Sequence, residues 1–537
     1  MRNILLITLL LFCSLSAFCE GYMFRIELKD KGNPPYTIEN PLSYLSEKSI
    51  ERRLWQGIAI DSTDFPIDPL YLEEIKVTGA LIKATSKWVK TVTVYLPDSS
   101  AVPALKSLIF VDTLYCVRKG SLSPTLLNPE QNEFVVFESP DYSLSTDGNI
   151  YGEGYTQINM LNGILLHDAG FKGKGMSIAV LDNGFLNSDL IPAFDFGRIK
   201  EVRDFTHKSI NPLRGTEGHG TTVLSCMLAN QQGVMVGTAP EADYYLFKTE
   251  VEKEEFPVEE DYWVAAMEYA DSIGIDVVNT SLGYSTFDDP SMNHTHEQLD
   301  GRTIPASRAA AMAGNKGMLV FNSAGNEGNK SWGKITVPSD ADNIITVGAV
   351  NAQGVIADFS SRGPSADGRV KPDLCAMGES AAIIGVNGNV SRSSGTSFAS
   401  PILTGMGACL WQALPHKTSK EIIALMKSVG DRYANPDFEY GYGIPDVGKA
   451  YTENVTDIFE VAKSNTLLFF DTITGYLYAK NADCEKVSLM IFNVQGQLTI
   501  QNKDITMPLD LNNLNQGIYI AYIRQGDKQA VQKFLKW

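Results

Sequence analysis

A glycine turn, a serine and a long apolar run follow one another at residues 395–414. The stretch Gly395–Pro401 reads Gly-Thr-Ser-Phe-Ala-Ser-Pro, and the apolar run Ile402–Leu414 predicts a buried helix. Ser397 would then lie at the helix N-terminus, where free backbone N–H groups and the helix dipole favour negative charge. Because the intermediate of acyl transfer carries an oxyanion, this position suits a nucleophile. A serine hydroxyl is weak alone, so a base and an orienting acid must come from elsewhere in the chain.

Both partners occur upstream of the serine. The apolar, β-branched segment 176–181 predicts a strand, and Asp182 follows it directly. Asp182 would lie at the carboxyl end of a central strand, where open α/β sheets build their sites. His219 lies between two glycines and precedes an apolar, helix-like run, so its imidazole would be accessible. The chain order is therefore acid, histidine, serine.

Two further segments complete a protease-like site. Asn326 lies on a turn after the apolar strand 317–320 and offers a side-chain amide donor. The segment 277–283 is another strand end, whose backbone could pair with an extended peptide by strand addition. Taken singly, each residue has an ordinary explanation as a turn former, a helix cap or a structural histidine. The presence of all five segments in a single chain favours a functional interpretation over five separate ordinary explanations.

The chain resembles the subtilisin-like serine proteases, the subtilase family, over residues 151–452. The resemblance rests on the acid strand, Gly-His-Gly-Thr, Ser-Leu-Gly, Ala-Gly-Asn-x-Gly and Gly-Thr-Ser-x-Ala-x-Pro, with support from Phe359–Pro364 and Lys371–Leu374. It implies an α/β fold with a doubly wound, mostly parallel sheet. It also implies these roles: Ser397 nucleophile, His219 general base and acid, Asp182 orienter, Asn326 oxyanion donor, and Ser281, Leu282, Gly283 and Gly325 substrate binding.

Three positions depart from the family pattern. Asn183 follows the acid where the family commonly has Ser or Thr, Thr222 stands where His or Arg is frequent, and Met377 interrupts the usual Ala-Pro-Gly. None of them removes a catalytic group. They bear on substrate preference and local loop shape.

Composition limits the rest of the protein. A chain of 537 residues is long enough for three domains, and its 44% hydrophobic content suits packed ones. The formal charge of −18 argues against nucleic acid or an anionic membrane as the main partner. Five cysteines remain beyond Cys13 and Cys19, with wide spacings that indicate neither a disulfide framework nor a zinc site. Cys226 and Cys409 lie in apolar runs and are predicted to be buried.

Residues 1–19 have the pattern of a secretory signal peptide. Arg2 supplies the positive end, residues 4–12 the apolar core, and Ala17 a small residue before a cleavage site. A lipoprotein signal with Cys19 acylated fits less well, since Phe18 precedes the cysteine. No later run is long enough to span a membrane. A secreted or cell-surface protein is therefore expected.

Residues 20–120 have strand and helix patterns that predict a small α+β domain. Predicted strands are 22–28, 111–118 and two within 75–96, and predicted helices are 46–55 and 101–110. In position and pattern the region resembles subtilase propeptides, which chaperone and inhibit the enzyme; the alternative is an unrelated N-terminal domain. Residues 121–150 are polar with three prolines and predict an exposed linker, where maturation cleavage is expected.

Residues 457–537 contain short strands separated by glycine turns, which predicts a small all-β sandwich. The segments 493–497 and 517–519, with Lys533 and Phe534 near the terminus, resemble the C-terminal sorting domains of Bacteroidota type IX secretion. That resemblance implies the secretion machinery as a partner. The alternative is a β-sandwich that binds carbohydrate or protein.

The leading hypothesis is a secreted serine endopeptidase made as an inactive precursor, acting on protein or peptide substrates. The alternative is a catalytically silent subtilase used for binding or adhesion. Glu327 follows the oxyanion residue and would favour a basic substrate side chain, unless it is a solvated turn acid. The chemistry needs no cofactor. Structural calcium is common in the family, but no dense acidic loop identifies a site, and His294 and His296 are interpreted as loop residues.

Overall fold

A computed structural model describes residues 21–120, 149–206, 211–454 and, nearer the C-terminus, 468–471, 475–479, 487–493, 497–505, 508–525 and 528–536. The expected signal peptide and nearly all of the expected linker lie outside the described residues. The chain divides into two compact units, Met1–Ala450 and Tyr451–Trp537. Each unit is described by itself.

The first unit begins with a small antiparallel sheet and three helices. The strands are β1 Tyr22–Leu28, β2 Leu81–Ser86, β3 Thr91–Leu96 and β4 Val111–Lys119, and the helices are α1 Glu47–Gln56, α2 Pro69–Val77 and α3 Val102–Ser107. The strand order is β2-β3-β1-β4, with every neighbouring pair antiparallel. We call residues 21–120 the N-terminal domain.

Most elements of the N-terminal domain match the sequence predictions. The strand Tyr22–Leu28 is confirmed, and the predicted helix 46–55 appears one residue later as α1. Ser46 caps α1 by accepting a hydrogen bond from the N–H of Ser49, and Gly57 ends it in the left-handed conformation at φ 68°. The helix α2 was not predicted, because its face has little amphipathic pattern and only one of its residues, Ile75, is buried.

Among the described residues, the rest of the first unit holds eleven strands, and seven helices lie wholly within it. The strands are β5 Ser177–Asp182, β6 Ile199–Asp204, β7 Asn230–Gln231, β8 Met235–Val236, β9 Asp243–Lys248, β10 Val277–Thr280, β11 Leu319–Ser323, β12 Ile345–Val350, β13 Leu374–Met377, β14 Ala381–Ile384 and β15 Val390–Ser393. The helices are α4 Tyr155–Asn159, α5 Ile164–Asp168, α6 His219–Leu228, α7 Val258–Ile273, α8 Pro305–Asn315, α9 Thr396–Ala413 and α10 Ser419–Ser428. A further helix begins at Val447.

Seven of these strands form a parallel sheet in the order β13-β12-β11-β10-β5-β9-β6. Every residue of β5 is buried, as its continuous apolar sequence requires of a strand covered on both faces. The chain adds β6 and β9 on one side of β5 and then places β10 on the other side. The strand order therefore reverses at β5 and β10, and ligands bind at the carboxyl ends of strands at such a point. The expected fold class is confirmed.

Helices cover both faces of the parallel sheet. The helix α9 packs against β10, β11, β12 and β13 and also contacts α6. The helices α7 and α8 pack against each other and cover the sheet at β5 and β11. On its other side α7 contacts β1 and β2, so it lies between the N-terminal domain and the parallel sheet.

The N-terminal domain shares a hydrophobic core with α7. Met23, Trp88 and Val117 belong to the same buried cluster as Tyr262 and Trp263 of that helix. These side chains lose nearly all contact with water, which stabilises the association by roughly 1.5–3 kcal/mol for each large apolar group. The two regions therefore pack as parts of one unit.

Buried charges also join the N-terminal domain to the helices of the larger region. Arg53 is fully buried and pairs with Asp64 and with Asp271 of α7, each at 2.6 Å. Asp271 also accepts a hydrogen bond at 2.5 Å from Arg52. Glu268 of α7 accepts the backbone N–H of Trp88 at 2.9 Å. Each buried charge has an opposite charge or a donor, which offsets its desolvation.

The second unit contains two antiparallel sheets. The strands are β16 Leu468–Asp471, β17 Tyr476–Ala479, β18 Val487–Asn493, β19 Leu498–Ile505, β20 Leu509–Asp510, β21 Gly517–Gln525 and β22 Lys528–Lys536. The sheet orders are β16-β17-β20 and β19-β18-β21-β22. Leu477 of the first sheet and Leu489, Ile491 and Phe534 of the second share one buried cluster. The predicted all-β sandwich is confirmed.

Among the described helices, none combines the length and the apolar character that crossing a membrane requires.

The described cysteines are all free thiols, Cys116, Cys226, Cys375 and Cys409. Cys226 and Cys409 are fully buried, as predicted, and burial raises the pKa of Cys226 to about 12. Such thiols are packing residues rather than nucleophiles. Cys484 lies outside the described residues.

Candidate active site

The acid and the histidine meet where a strand ends and a helix begins. The strand β5 ends at Asp182 and α6 begins at His219, and the Nδ1 of His219 lies 2.8 Å from the Oδ1 of Asp182. The same Oδ1 accepts the backbone N–H of Asn183 at 2.9 Å. Asp182 is fully buried and His219 is partly exposed. A buried carboxylate thus holds a solvent-facing imidazole through its Nδ1–H and leaves Nε2 available as a base.

The glycine after the histidine allows this close approach. A Cβ at Gly220 would lie 2.5 Å from the carbonyl oxygen of Gly184 and 2.9 Å from the Cβ of Asp182. Any side chain there would push α6 away from the end of β5. The Gly-His-Gly pattern therefore has a packing reason in addition to exposing the imidazole.

The environment of His219 favours its protonated form. Burial lowers the pKa of His219, but the Asp182 carboxylate, with smaller contributions from Glu217 and Glu250, outweighs burial and raises it above its ordinary value. The imidazole is thus a better base than a free one, and an imidazolium formed during a reaction is stabilised where it forms.

Ser397 lies in the first turn of α9, as the sequence predicted. Its hydroxyl donates to the carbonyl oxygen of Ser281 at 3.3 Å, and no bond to His219 is found among the described contacts. The His219 ring lies beside Phe398, the residue after Ser397, and 5.9 Å separates the centroids of the two rings. Ser281 in turn donates its own hydroxyl to the carbonyl oxygen of Ser397 at 2.8 Å. The structure therefore brings the histidine to the start of the serine helix.

Asn326 is held with its amide nitrogen facing the start of the same helix. Its Oδ1 accepts the backbone N–H of Thr396 at 2.8 Å and the Thr396 hydroxyl at 3.0 Å. Because a backbone N–H can only donate, the oxygen must point to Thr396 and the NH₂ group must point away. A Cβ built at Gly395 would lie 3.5 Å from this Nδ2, which places the donor beside the turn before Ser397. Thr396 is thus an orienting residue that the sequence analysis did not single out.

The four predicted substrate-binding residues differ in their contacts. Ser281 is buried and holds Ser397, so its side chain serves the helix. Leu282 directs its carbonyl oxygen to Asn322 Nδ2 at 3.3 Å. Gly283 and Gly325 flank one side chain: a Cβ at either would lie within 3 Å of the Thr336 hydroxyl. Ser281 and Gly325 both contact the start of α9, since the N–H of Gly325 donates to the Thr396 hydroxyl at 3.2 Å. The contact of all four residues with substrate stays a prediction.

A buried polar network locks the serine helix onto β10. The Oδ1 of Asn279 accepts hydrogen bonds from Ser400 at 2.9 Å and from Thr404 at 3.0 Å, both in α9. The Nδ2 of Asn279 donates to the hydroxyl of Ser281 at 3.2 Å. All these residues are buried and fully paired, so the network fixes the helix rigidly. The sequence analysis missed Asn279, whose only signal was a polar residue inside an apolar strand.

Glu327 lies next to Asn326 and forms an ion pair of its own. Its Oε1 accepts the Lys330 ammonium at 2.9 Å, and its backbone N–H donates to the Ser361 hydroxyl at 3.0 Å. Lys330 is well exposed, so solvent screens the pair. The contacts fit a solvated turn acid, and a role in substrate preference stays a prediction.

Within the described residues one group of acids comes close enough to suggest a metal. Oxygens of Glu250, Glu255 and Glu259 lie within 4.8 Å of one another. Both oxygens of Glu259 already accept backbone N–H groups, and the Oε1 of Glu250 accepts the hydroxyls of Tyr284 and Thr249. Calcium needs six to eight free oxygen ligands, which this hydrogen-bonded group does not offer. We assign no metal there.

The two histidines at 294 and 296 have separate partners. His294 Nε2 lies 2.5 Å from Glu260, and His296 Nε2 lies 3.0 Å from the carbonyl oxygen of Trp332. Their interpretation as loop residues rather than metal ligands agrees with these contacts.

Comparison with protein families identifies three regions. Residues 173–443 match the subtilase family of peptidases S8. Residues 23–132 match the peptidase S8 propeptide domain of Bacteroidota. Residues 473–536 match a secretion system C-terminal sorting domain. These matches confirm the three resemblances found in the sequence.

Three individual relatives are proteases of moderate similarity. The chain is 29% identical over 302 residues to the serine protease AprX of Bacillus subtilis, covering 50% of this chain and 65% of AprX. It is 30% identical over 302 residues to the rat membrane-bound transcription factor site-1 protease, covering 53% of this chain and 26% of that protein. Subtilisin E of Bacillus subtilis is 28% identical over 298 residues, which cover 55% of this chain and 70% of subtilisin E. The chain thus spans less than two thirds of the first two relatives.

A solved structure has the same fold. The epidermin leader peptide processing serine protease (EpiP) of Staphylococcus aureus superposes with a TM-score of 0.54 and 16% identity, covering 81% of this chain and 98% of that one. At this identity the likeness shows the fold alone. Since the subtilase match spans half of the chain and contains the Asp182–His219 pair and Ser397, the protein belongs to the subtilase family of serine peptidases.

Proposed function

We propose that the protein is a serine endopeptidase that hydrolyses peptide bonds through an acyl-enzyme. The observation that carries the proposal is the 2.8 Å contact between His219 and Asp182 at the start of α6, a helix that packs against the Ser397 helix α9. In this reaction His219 takes the Ser397 proton as the hydroxyl attacks the scissile carbonyl, and later gives it to the leaving amine. Asp182 holds the imidazole tautomer and stabilises the imidazolium.

The oxyanion of the intermediate would be stabilised by two donors. The backbone N–H of Ser397 belongs to the first turn of α9, where N–H groups lack acceptors within the helix. The Nδ2 of Asn326 faces the same turn because Thr396 holds the amide oxygen. Such fixed donors act without reorganisation when charge develops.

Replacing Asn326 with alanine is expected to lower kcat by roughly 10²–10³, a magnitude taken from the matching asparagine of subtilisin. KM should change little, since the oxyanion forms only after binding. Steady-state hydrolysis of a peptide measures both values. The exposed Asn329 lies three residues away, and Asn329→Ala is the matched control that should retain wild-type kinetics. An Asn326→Ala enzyme as fast as this control would exclude the assigned donor.

The alternative function is that of a catalytically silent subtilase that binds a partner. The observation in its favour is the Ser397 hydroxyl, which donates to Ser281 instead of His219. Serine–histidine contacts are commonly long in unliganded enzymes and shorten when substrate binds, so the endopeptidase remains the better account. A fluorophosphonate probe separates the two: an active enzyme is labelled at Ser397 and a silent one is not.

We also propose that the N-terminal domain keeps the precursor inactive and assists its folding. Support comes from the propeptide match, the core shared with α7 and the buried ion pairs of Arg53. The last described residue of this domain is Gly120, and we expect maturation cleavage between 121 and 150.

Arg53→Met is expected to destabilise the precursor by about 3 kcal/mol, because it leaves Asp64 and Asp271 with one fewer buried cation. Urea unfolding, followed by tryptophan fluorescence in a Ser397→Ala background that prevents self-cleavage, measures the change. Lys76→Met removes a well-exposed ion pair with Glu73 and serves as the control, with an effect of at most about 0.5 kcal/mol. Equal effects of the two changes would show that Arg53 does not stabilise the docked domain.

Finally, we propose that the second unit directs export by the type IX pathway to the cell surface or medium. The sorting-domain match and the two-sheet sandwich support this role. A chain lacking residues 457–537 should stay in the periplasm. Normal export of that truncated chain, with weaker binding to its substrates, would instead identify the unit as a binding module.

A further inference from the structure

The N-terminal domain places two cations on acids of the larger region where its last strand ends. Arg118 binds Glu254 through two hydrogen bonds, from Nε at 2.7 Å and from Nη2 at 2.8 Å. The neighbouring Lys119 donates to Asp289 at 2.9 Å. The guanidinium of Arg118 is almost fully buried, so this is a fitted contact with the two-point geometry that arginine makes with carboxylates.

The two acids lie on two loops that follow β9 and β10 of the parallel sheet. Glu254 is in the loop after β9, and Asp289 is in the segment that continues from Gly283. Backbone and side-chain hydrogen bonds tie the loops together: the N–H of Asp288 donates to the carbonyl oxygen of Glu255 at 2.9 Å, and the N–H of Glu255 donates to Asp288 Oδ2 at 3.1 Å. We call Glu254, Glu255, Asp288 and Asp289 the acidic loop pair.

The second loop of the acidic loop pair lies close in the chain to the predicted substrate-binding segment 281–283. Tyr284, which directly follows Gly283, donates its hydroxyl to Glu250 at 2.8 Å, and its backbone pairs with Val337. Val337 follows Thr336, whose side chain lies between Gly283 and Gly325. A polypeptide that pairs with the segment 281–283 would lie alongside it. One end of that polypeptide would therefore point toward the acidic loop pair, whichever direction its chain runs.

The acidic loop pair takes its ion-pair partners from the N-terminal domain. Burial and the nearby Glu250, Asp288 and Glu260 together raise the pKa of Glu255 to about 8, which keeps this carboxyl largely neutral at pH 7. The cations paired with Glu254 and Asp289 both come from the N-terminal domain. When that domain leaves, the acidic loop pair loses these partners and becomes accessible to other cations.

The position of the two cations in the chain gives their relation to the cleaved bond. Arg118 and Lys119 precede the segment in which we expect maturation cleavage, so they lie on the N-terminal side of the first bond that the enzyme would cut. In that step the precursor is a substrate that carries a basic pair upstream of its scissile bond and rests that pair on the acidic loop pair.

We propose that the mature enzyme uses the acidic loop pair to recognise arginine or lysine residues upstream of the scissile bond in its polypeptide substrates. The proposal rests on the proposed endopeptidase function and specifies its substrate class. The two-point contact of Glu254 favours arginine, and the single contact of Asp289 accepts lysine equally well.

The test uses the chain's own sequence as substrate. N-terminal sequencing of the mature enzyme gives the maturation junction, and two quenched fluorescent peptides then run from residue 112 across that junction. One keeps Arg118 and Lys119, and the other has glutamine at both positions. We expect kcat/KM of the mature enzyme to be about tenfold higher for the basic peptide, as two partly buried ion pairs would give, and the preference to shrink in high salt.

Variants of the enzyme test whether the acidic loop pair causes the preference for the basic peptide. Glu254→Gln combined with Asp289→Asn should cleave both peptides at the rate of the glutamine peptide. The control Asp195→Asn removes an exposed acid before β6, at the opposite end of the parallel strands from the acidic loop pair, and should keep the full preference. The wild-type comparison of the two peptides stands even where the double variant does not mature.

Each outcome has one meaning. Equal kcat/KM for the two peptides, or a basic peptide that binds and inhibits without faster cleavage, overturns the proposal and leaves the acidic loop pair as a docking site for the N-terminal domain alone. A preference that survives in the double variant also overturns it. Absence of hydrolysis of both peptides and of casein contradicts the endopeptidase function itself.

Discussion

Ser397→Ala is expected to abolish peptide hydrolysis, with kcat lower by about 10⁶, the magnitude found when subtilisin loses its serine. The alanine leaves the helix start, Asn326 and the Asp182–His219 pair in place and removes only the hydroxyl that attacks. The residual rate should then come from the oxyanion donors and binding alone. Hydrolysis of casein and labelling by a fluorophosphonate probe both measure the loss, and the unprocessed precursor should accumulate.

The control for this variant is another serine of the same segment. Ser394 is exposed, lies three residues upstream and accepts only the N–H of Ser380, at 3.0 Å. Ser394→Ala should mature and be labelled like the wild type. Casein hydrolysis by Ser397→Ala at the wild-type rate would remove Ser397 from the mechanism, and with it the acyl-enzyme.

Asp182→Asn has the second largest expected effect, a fall in kcat of about 10⁴. The Oδ1 of Asp182 accepts both the Nδ1–H of His219 and the N–H of Asn183. An asparagine oxygen can still face these two donors, so the packing survives while the negative charge disappears. The imidazolium then forms beside a neutral amide, and the proton transfer loses its stabilisation.

The same variant should move the pH dependence in a defined direction. His219 acts as a base in its neutral form, so kcat/KM rises as pH increases through its pKa. Burial lowers that pKa and Asp182 raises it by more, which places the acid limb of the wild type above the ordinary histidine value. Without the carboxylate the limb should move to lower pH. Profiles from about pH 5 to pH 9 measure it, with Asp195→Asn as control, and an unmoved limb would contradict the assigned pair.

Motif and strand pattern predicted which elements carry the site but not how its side chains are paired. Asp182 at a strand end and Ser397 at a helix start follow from local apolar runs and turn residues. The bond from Ser397 to Ser281 spans 116 positions, and the network of Asn279 spans more. Such pairs depend on which strands become neighbours, and a period of two or 3.6 residues contains no information about that.

The N-terminal domain shows the same limit. The alternation of Tyr22–Leu28 correctly predicts a strand, yet it does not explain why Arg25 is buried within it. The reason is Asp261, 236 positions later, which pairs with Arg25 at 2.5 Å. Arg25 shares its face of the strand with Met23 and Glu27, so nothing local shows which charged partner elsewhere covers it.

The core that Met23, Trp88 and Val117 share with Trp263 has a consequence for the lifetime of the mature enzyme. If the N-terminal domain is cleaved and lost, as proposed, the enzyme loses part of the apolar contact that covers α7. A mature molecule that unfolds would then lack a surface present during its first folding, and its refolding would be slow. The lifetime of such an enzyme would be governed by the height of the barrier to unfolding rather than by an equilibrium between folded and unfolded chains.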